Sequence, residues 1–109
     1  MEKIVEQTLL YDFYGELLTD RQKEIYEEIV FNDLSLSEAA EEYGISRQGI
    51  HDMLKRSENA LRAYESKLHM VERTRKVKEL ASRILSAKDG EEARDLARSI
   101  LKVLGDEPL

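Results

Sequence analysis

The sequence predicts an all-α protein, a helical bundle that contains a helix-turn-helix and ends in a helical hairpin. Apolar residues recur at spacings of three and four along nearly the whole chain, which is the period of amphipathic helices. The 109 residues include one proline, Pro108, and five glycines, so strand and turn signals are few. The length fits one principal core with at most a small additional unit.

The composition is that of a folded, heavily charged chain without thiol chemistry. Hydrophobic residues make up 41% and charged residues 37% of the sequence, as in soluble globular proteins. It contains no cysteine, which excludes disulfides and thiolate metal sites and fits a reducing compartment. The first residues carry acids inside their apolar stretch, unlike a secretion signal, and no run approaches the roughly 20 apolar residues of a membrane span. We therefore expect a cytoplasmic protein with no membrane span.

The first two predicted helices are amphipathic. The first spans residues 2–17 and is expected to be a core helix that packs through Ile4, Val5, Thr8, Leu9, Tyr11, Phe13 and Leu17. Thr19 with Gln22 forms a capping box that begins the second helix. The second helix should break at Asn32 and Asp33, after a buried stripe made of Ile25, Tyr26, Ile29 and Val30.

Residues 35–55 carry the spacing of two helices that cross steeply, as in a helix-turn-helix. Ser35 with Glu38 fits a capping box for the third helix, and Ser37 is an alternative start. Gly44 should close that helix, because glycine takes the left-handed conformation most easily. The crossing needs small and apolar side chains, which are Ala39, Ala40, Tyr43, Ile45, Ile50 and Met53. Any helical hairpin shows such residues, so this pattern alone does not distinguish a helix-turn-helix from another helical hairpin.

Ser46 caps a fourth helix that should continue without a break to Leu68, about six turns. Its buried stripe is Ile50, Met53, Leu54, Ser57, Leu61, Tyr64 and Leu68. Two further helices, joined by a turn at residues 88–90, have the stripes Val77, Leu80, Ala81, Ile84 and Leu85, and Ala93, Leu96, Ala97, Ile100, Leu101 and Leu104. Gly105 and Pro108 should end the last helix. We divide the chain into a helix-turn-helix domain, residues 1–68, and a helical hairpin, residues 69–109.

Charge is distributed unevenly along the chain. Residues 1–44 hold 3 basic and 12 acidic side chains, residues 45–88 hold 11 and 5, and residues 89–109 hold 3 and 6. The overall net charge is −6, but the middle of the chain is basic. At physiological salt the screening length is about 8 Å, so a basic surface on an acidic protein still attracts phosphate locally.

The polar face of the fourth helix predicts contact with double-stranded DNA. A recognition helix places the side chains of its first turns in the major groove, where arginine pairs with guanine and glutamine with adenine. The predicted DNA-binding residues are Ser46, Arg47, Gln48, Gly49, His51, Asp52, Lys55 and Arg56. Asp52 repels phosphate unless it accepts from a cytosine amine. The alternative is a face that is charged only for solubility.

The C-terminal helices leave two questions open. A second basic patch, for the phosphates of DNA or RNA, is formed by Arg73, Arg75, Lys76, Lys78 and Arg83. The same cations could instead neutralise acidic helices of their own chain. The apolar stripes of the hairpin could fold back on the fourth helix or meet a second copy, and we expect a homodimer, which also suits a symmetric DNA site.

The sequence offers no catalytic or metal site. His51 and His69 lie far apart, and the spacing of a zinc-binding motif is absent. Adjacent acids such as Glu27 and Glu28 point to different sides of a helix. There is no glycine-rich phosphate loop and no nucleophile elbow. We expect a binding protein that is not an enzyme and needs no cofactor.

Three stretches carry a family resemblance, residues 10–19 (LYDFYGELLT), residues 22–25 (QKEI) and residues 34–50 (LSLSEAAEEYGISRQGI). With them the chain closely resembles the YlxM family of Gram-positive bacteria over nearly its full length. That family is similar in fold to region four of the bacterial sigma factors, and its gene commonly neighbours those of the signal recognition particle. The resemblance implies a component or regulator of that pathway.

The resemblance also bears on individual positions of the fourth helix. Ser46 and Arg47 match the start of a sigma-like recognition helix, and Ile50 matches its core position. Gln48, Gly49 and Asp52 depart from the housekeeping sigma pattern, so recognition of the promoter −35 element is not implied. No sigma region two is present, so the chain is not expected to be a sigma factor.

Two functions follow as hypotheses. The first is a DNA-binding regulatory protein that acts through the fourth helix. The second is an adaptor of the signal recognition particle, which contacts the particle's RNA or GTPase through the basic residues 73–83 or through the acidic helices.

Overall fold

The computed structural model describes residues 2–105 and is helical throughout, with no strand in that range. The predicted all-α class, with its helix-turn-helix and its C-terminal hairpin, is confirmed. The helices are α1 (Lys3–Tyr14), α2 (Asp20–Tyr26), α3 (Leu36–Tyr43), α4 (Arg47–Leu68), α5 (Met70–Leu85) and α6 (Gly90–Leu104). Two compact units divide between Leu68 and His69.

Two helix ends differ from the sequence-based prediction. The first helix ends at Tyr14 instead of continuing to Leu17, and Gly15–Leu17 forms a tighter 3-10 turn. Gly15 is needed there because an added Cβ would lie 2.9 Å from the ring of Tyr11. The fifth helix begins at Met70, before its predicted apolar stripe, and only His69 separates it from α4. The predicted role of Pro108 in ending the last helix lies outside the described residues.

α2 is capped as predicted and then widens. Thr19 and Gln22 form both hydrogen bonds of the capping box. After Tyr26 the chain continues as a π-helical turn over Glu27–Phe31, which the spacing did not predict. The wider turn places the ring of Phe31 edge-on to the rings of Tyr11 and Tyr26, with centroid distances of 5.4 and 5.8 Å. The π-helical turn therefore completes a small aromatic cluster of Tyr11, Tyr26 and Phe31.

The first unit has a core of its own, made of residues from α1, α2, α3 and α4. Its buried residues are Leu10, Tyr14, Gly15, Leu18, Ile25, Tyr26, Ala39, Ile50, Ser57 and Leu61. Buried polar groups have partners, since Tyr26 donates its hydroxyl to the Gln7 carbonyl at 3.1 Å and Ser57 donates to the Met53 carbonyl at 3.1 Å. Burial is the main reason that the pKa of Tyr26 is raised well above its ordinary value.

The predicted packing face of α1 is only partly right, since Thr8, Leu9 and Tyr11 are half-buried. Ile4, Val5 and Phe13, expected in the core, are exposed, as is Leu17, and the helix buries Leu10 and Tyr14 instead. At about 100° per residue, Val5 lies about 140° from Leu10 and about 180° from Tyr14, on the far side of the helix. The helix has two apolar sides, and only one of them packs on the unit.

The second unit is the predicted hairpin of α5 and α6. Asp89 caps α6 by accepting a hydrogen bond from the backbone N–H of Glu92 at 2.8 Å. In the described part of this unit, only Val71 and Leu96 are buried. The rest of the two apolar stripes is half-buried or exposed, and Leu85 is 90% exposed. The hairpin thus hides its apolar side chains far less completely than the first unit does.

Candidate nucleic-acid interface

The helix-turn-helix begins with a fully formed cap. The Ser35 hydroxyl accepts from the backbone N–H of Glu38 at 3.0 Å, and the Glu38 carboxylate accepts from the backbone N–H of Ser35 at 3.2 Å. Of the two predicted starts, the structure uses Ser35. At the other end of α3, Gly44 has φ 66°, and a Cβ added there would meet nothing within 4 Å. The left-handed backbone alone therefore requires glycine at this position.

Small and apolar side chains hold α2, α3 and α4 together. Ile25, Ala39 and Ile50 are almost completely buried at the centre. Around them pack Ile29, Leu34, Leu36, Ala40, Tyr43, Ile45 and Met53. Ala39 has no exposed surface, so a larger side chain there would separate the helices. This core confirms the predicted crossing and fixes the first turns of α4 on its surface.

Ser46 begins α4 as predicted. Its hydroxyl oxygen accepts from the backbone N–H of Gly49 at 2.9 Å, and its carbonyl accepts from Ile50 at 3.0 Å. Gly49 is half-buried, and an added Cβ would lie 3.1 Å from the Ser46 hydroxyl and 3.6 Å from the Ile45 side chain. Gly49 therefore lies against the cap of its own helix, whereas Ser46 remains exposed.

The other six predicted DNA-binding residues are exposed and form two rows along α4. Residues four apart share one side of a helix, so one row contains Arg47, His51 and Lys55. The second row contains Gln48, Asp52 and Arg56. At about 100° per residue the two rows cover an arc of about 180°, opposite the buried stripe of α4. We call them the cationic row and the mixed row.

Asp52 is the only acid in the two rows and already has a partner. The Gln48 amide donates to its carboxylate at 2.9 Å, and Nδ1 of His51 lies 3.7 Å from the same oxygen. By contrast, Arg47, Lys55 and Arg56 form no ion pair with any acid among residues 2–105. The charges of these three cations are available to a ligand, while Gln48 and Asp52 are held against each other.

Arg21 is a candidate that sequence reasoning missed. It lies at the start of α2, is exposed, and its guanidinium is 5.8 Å from the ring centre of Tyr43, next to the turn that leads into α4. Partial burial is the first cause of a raised pKa for Tyr43, so its ring stays neutral beneath the cation. Twenty-two positions separate the two residues in the sequence, and no spacing rule would have paired them.

Comparison with known proteins agrees with this architecture. Residues 1–100 match the family model described as "Putative helix-turn-helix protein, YlxM / p13 like". The chain belongs to this YlxM-like helix-turn-helix family. It is 44% identical over 97 residues to a UPF0122 protein of Thermoanaerobacter sp. (strain X514), covering 89% of this chain and 83% of that protein.

Two further relatives match over nearly the whole chain. A UPF0122 protein of Desulforamulus reducens is 37% identical over 105 residues, covering 96% of this chain and 90% of the relative. The UPF0122 protein YlxM of Bacillus subtilis (strain 168) is 34% identical over 104 residues, covering 95% and 94%. The resemblance noted in the sequence is therefore confirmed over residues 1–100.

In this member of the YlxM-like family, the five cations predicted as a second basic patch are all exposed but do not share one face of α5. Arg73 and Lys76 line a groove with Glu72 and Val103. Arg75 and Lys78 line another with Glu79. Arg83 lies in a third, among acids of the α6 N-terminal turns. The structure thus brings Arg75 and Lys78 together and separates Arg83 from them.

Ion pairing at α5 is confined to one of these cations. Lys76 pairs with Glu72 at 3.2 Å, and Glu72 also lies 3.4 Å from Nδ1 of His69. Arg73, Arg75, Lys78 and Arg83 form no ion pair within the described chain. Across residues 2–105 no three acids and histidines cluster as a metal site would require. In the same range no helix combines the length and apolarity needed to cross a bilayer.

Proposed function

We propose that this protein binds double-stranded DNA through the first turns of α4 and acts as a regulatory protein. The observation that carries the proposal is the cationic row, Arg47, His51 and Lys55, exposed on a helix-turn-helix core and containing no acid. A recognition helix presents this kind of surface to the major groove. The family match to helix-turn-helix proteins supports the same function.

Each residue of the interface has a distinct role in this proposal. The Ser46 oxygen is used as an acceptor by Gly49, so its hydroxyl proton is left to donate to a phosphate. Arg47 is suited to guanine and Lys55 to the backbone, because a guanidinium binds O6 and N7 together and an ammonium acts as a point charge. Gln48 reaches adenine only if its bond to Asp52 opens. Arg56 and Arg21 are placed to neutralise phosphates on either side.

Binding selection from random duplexes, followed by fluorescence anisotropy at several salt concentrations, tests the proposal. With about three phosphates neutralised, the slope of log K against log salt should be roughly −3. Arg47→Ala should weaken binding to the selected site most, by about tenfold or more. Arg94→Ala, which removes an exposed cation from α6, is the matched control and should have little effect. Equal losses for the two variants, or no salt-dependent binding, would contradict the proposal.

Asp52→Asn sharpens the same experiment. The amide keeps an oxygen that can accept from Gln48 but removes the only negative charge of the two rows. Affinity for all duplexes should rise, because repulsion of phosphate is lost whatever the sequence. Weaker binding that is confined to sites with a particular cytosine would show instead that Asp52 reads a base.

We further propose that the protein is a homodimer joined through the C-terminal hairpin. Support comes from the incomplete burial of α5 and α6, where Val71 and Leu96 are buried but Leu85 is 90% exposed. A chain shortened to end at Leu68 keeps the core of the first unit and should be monomeric by light scattering. A shortened chain that assembles like the full chain would place the interface elsewhere.

The second candidate function is an adaptor of the signal recognition particle. The observation that favours it is the exposure of Arg75 and Lys78 on one side of α5 with no ion pair of their own. Phosphate contacts by these two side chains would attach the protein to the particle's RNA. Alanine at both positions should then weaken binding of that RNA and leave duplex DNA binding unchanged. If both ligands are affected equally, or neither is, this candidate is excluded.

A further inference from the structure

The outer side of α1 carries an apolar ridge whose residues are exposed except at Leu9, which is half-buried. Val5, Leu9 and Phe13 follow one another at intervals of four residues, so they form a line along the helix. Ile4 lies beside the first of them and Leu17 beyond the last. Ile4, Val5, Phe13 and Leu17 are 46%, 43%, 37% and 55% exposed. We call these five residues the α1 ridge.

The surface of the ridge offers almost no hydrogen-bonding group. A shallow groove of about 210 Å³ lies along Ile4, Val5, Thr8 and Leu9. Its one hydroxyl, on Thr8, already donates to the Ile4 carbonyl at 2.7 Å. A ligand therefore meets methyl and methylene groups there, and burial of apolar surface is the interaction available. Contiguous exposed apolar residues on a heavily charged protein mark an interaction surface.

The border of the ridge is acidic. Glu2 and Asp12 are exposed along it, and Glu16 beyond them is exposed but already paired with Lys23 at 3.0 Å. Lys3 is the only cation in α1. Packing two copies of α1 against each other would bring these carboxylates together, which costs free energy. A partner whose apolar side chains are bordered by lysine or arginine would instead have favourable charge pairs on both sides of the contact.

We propose that the α1 ridge is the docking surface for a cationic amphipathic helix of a partner protein. The apolar face of that helix covers Val5, Leu9 and Phe13, and its basic residues face Glu2 and Asp12. This is the helix-on-groove mode, in which side chains at three- and four-residue spacing supply the contact. The ridge is separate from the two rows on α4, so the inference does not depend on DNA binding.

The probe is a synthetic helical peptide of about 18 residues, with leucine on one face and lysine on the other. The control is the same peptide with glutamate in place of lysine. The wild-type protein should bind the first and not the second in fluorescence anisotropy. The double substitution Val5→Asp with Phe13→Asp should weaken binding of the lysine peptide by about tenfold or more. That variant is more acidic, so attraction by charge alone would strengthen binding. Weaker binding therefore identifies apolar contact with the ridge.

Two controls keep the result clear. Leu68→Asp adds an acid at an exposed leucine at the end of α4 and should leave peptide binding unchanged. Phe13→Gln adds no charge and should still weaken binding several-fold, and circular dichroism should show wild-type helix content for every variant. Unchanged or tighter binding by the double variant overturns the proposal, as does equal binding of the glutamate peptide. A wild-type dimer that the double variant converts to a monomer, measured by sedimentation, would assign the ridge to a second copy instead.

Discussion

The helix-turn-helix unit and the C-terminal hairpin are both built from amphipathic helices with charged outer faces. They differ in how completely they bury the apolar side chains of those helices. Around Ile25, Ala39 and Ile50, three helices cross and cover one another. In the hairpin, two antiparallel helices cover only Val71 and Leu96 fully among the residues that the structure describes. A third helix closes a core that two helices leave open on one side. This difference in burial supports the proposals that the first unit presents the DNA-binding surface and that the hairpin joins two copies.

The largest expected difference concerns the two cores. Leu61→Ala removes a side chain with no exposed surface and should lower the free energy of unfolding by about 2–5 kcal/mol. Leu96→Ala in the hairpin should cost about 2 kcal/mol, since the loosely covered site can collapse around the smaller residue. Urea denaturation with amide exchange in α4 and α6 measures both. Equal losses would mean that the hairpin is as well packed as the first unit.

Helix caps should show no difference between the units. Ser35 and Asp89 each accept a hydrogen bond from the backbone N–H three residues later, at 3.0 and 2.8 Å. Alanine at either position should cost about 1 kcal/mol, because the lost bond is local and needs no core. Thermal denaturation of the two variants tests this expectation. A much larger loss for Ser35→Ala would show that its cap also positions the helix crossing.

The two left-handed glycines, unlike the caps, should differ between the units. Gly44 and Gly105 have φ of 66° and 79°, and neither has a neighbour that an added methyl group would meet. Gly44→Ala should cost about 1 kcal/mol from backbone strain, since the turn lies between two packed helices. Gly105→Ala should cost only a few tenths of a kcal/mol, because Leu104 beside it is exposed and the last turn of α6 can unwind locally. Denaturation midpoints of the two variants distinguish these outcomes.

The last expected difference has no effect at neutral pH and is specific to the first unit. At alkaline pH the first unit should lose stability. Burial is the largest cause of the raised pKa of Tyr26 and of Tyr11, and Glu27 adds to it at Tyr11. Folding therefore favours the protonated phenols. Their contribution to stability is complete below pH 10, the ordinary pKa, and is lost as the pH rises from there towards the folded-state values. The hairpin contains no tyrosine, so it should keep its exchange protection.

Absorbance at 295 nm follows this titration directly. Part of the tyrosinate absorbance should appear only as the first unit unfolds, because the pKa values of Tyr11 and Tyr26 are raised in the folded protein. Tyr11→Phe should remove one late-titrating group and leave the hairpin unchanged. A single titration near pH 10 for every tyrosine, with no unfolding, would contradict the prediction.

Much of the local structure followed from short-range rules. Thr19 with Gln22, Ser35 with Glu38, and Gly44 all take the predicted cap positions, because a cap needs only a few neighbouring residues. The π-helical turn at Glu27–Phe31 was not foreseen, since it is completed by contacts with a distant ring on α1. The contact between Arg21 and Tyr43 was missed for the same reason.

The residues of the candidate site could be predicted from the sequence, but their contacts with other residues could not. Periodicity placed Arg47, His51 and Lys55 on the outer side of α4, where the structure also has them. Periodicity did not show that Gly49 lies against its own cap, or that the cations of α5 are spread over separate grooves. The order of residue types along a helix does not show which side chains of other elements, including acids, lie next to each residue.

Local sequence was sufficient for the helical class, the ends of most helices and the exposed face of α4, because hydrogen bonds and periodicity within a few residues govern these features. Which side of α1 is buried depended instead on the packing of the whole first unit. The two sides of that helix are similarly apolar, and Leu10 and Tyr14 are the pair that lies buried on the core completed by α2 and α4. The choice between two apolar faces depends on the shape of the neighbouring helices, which no local pattern contains.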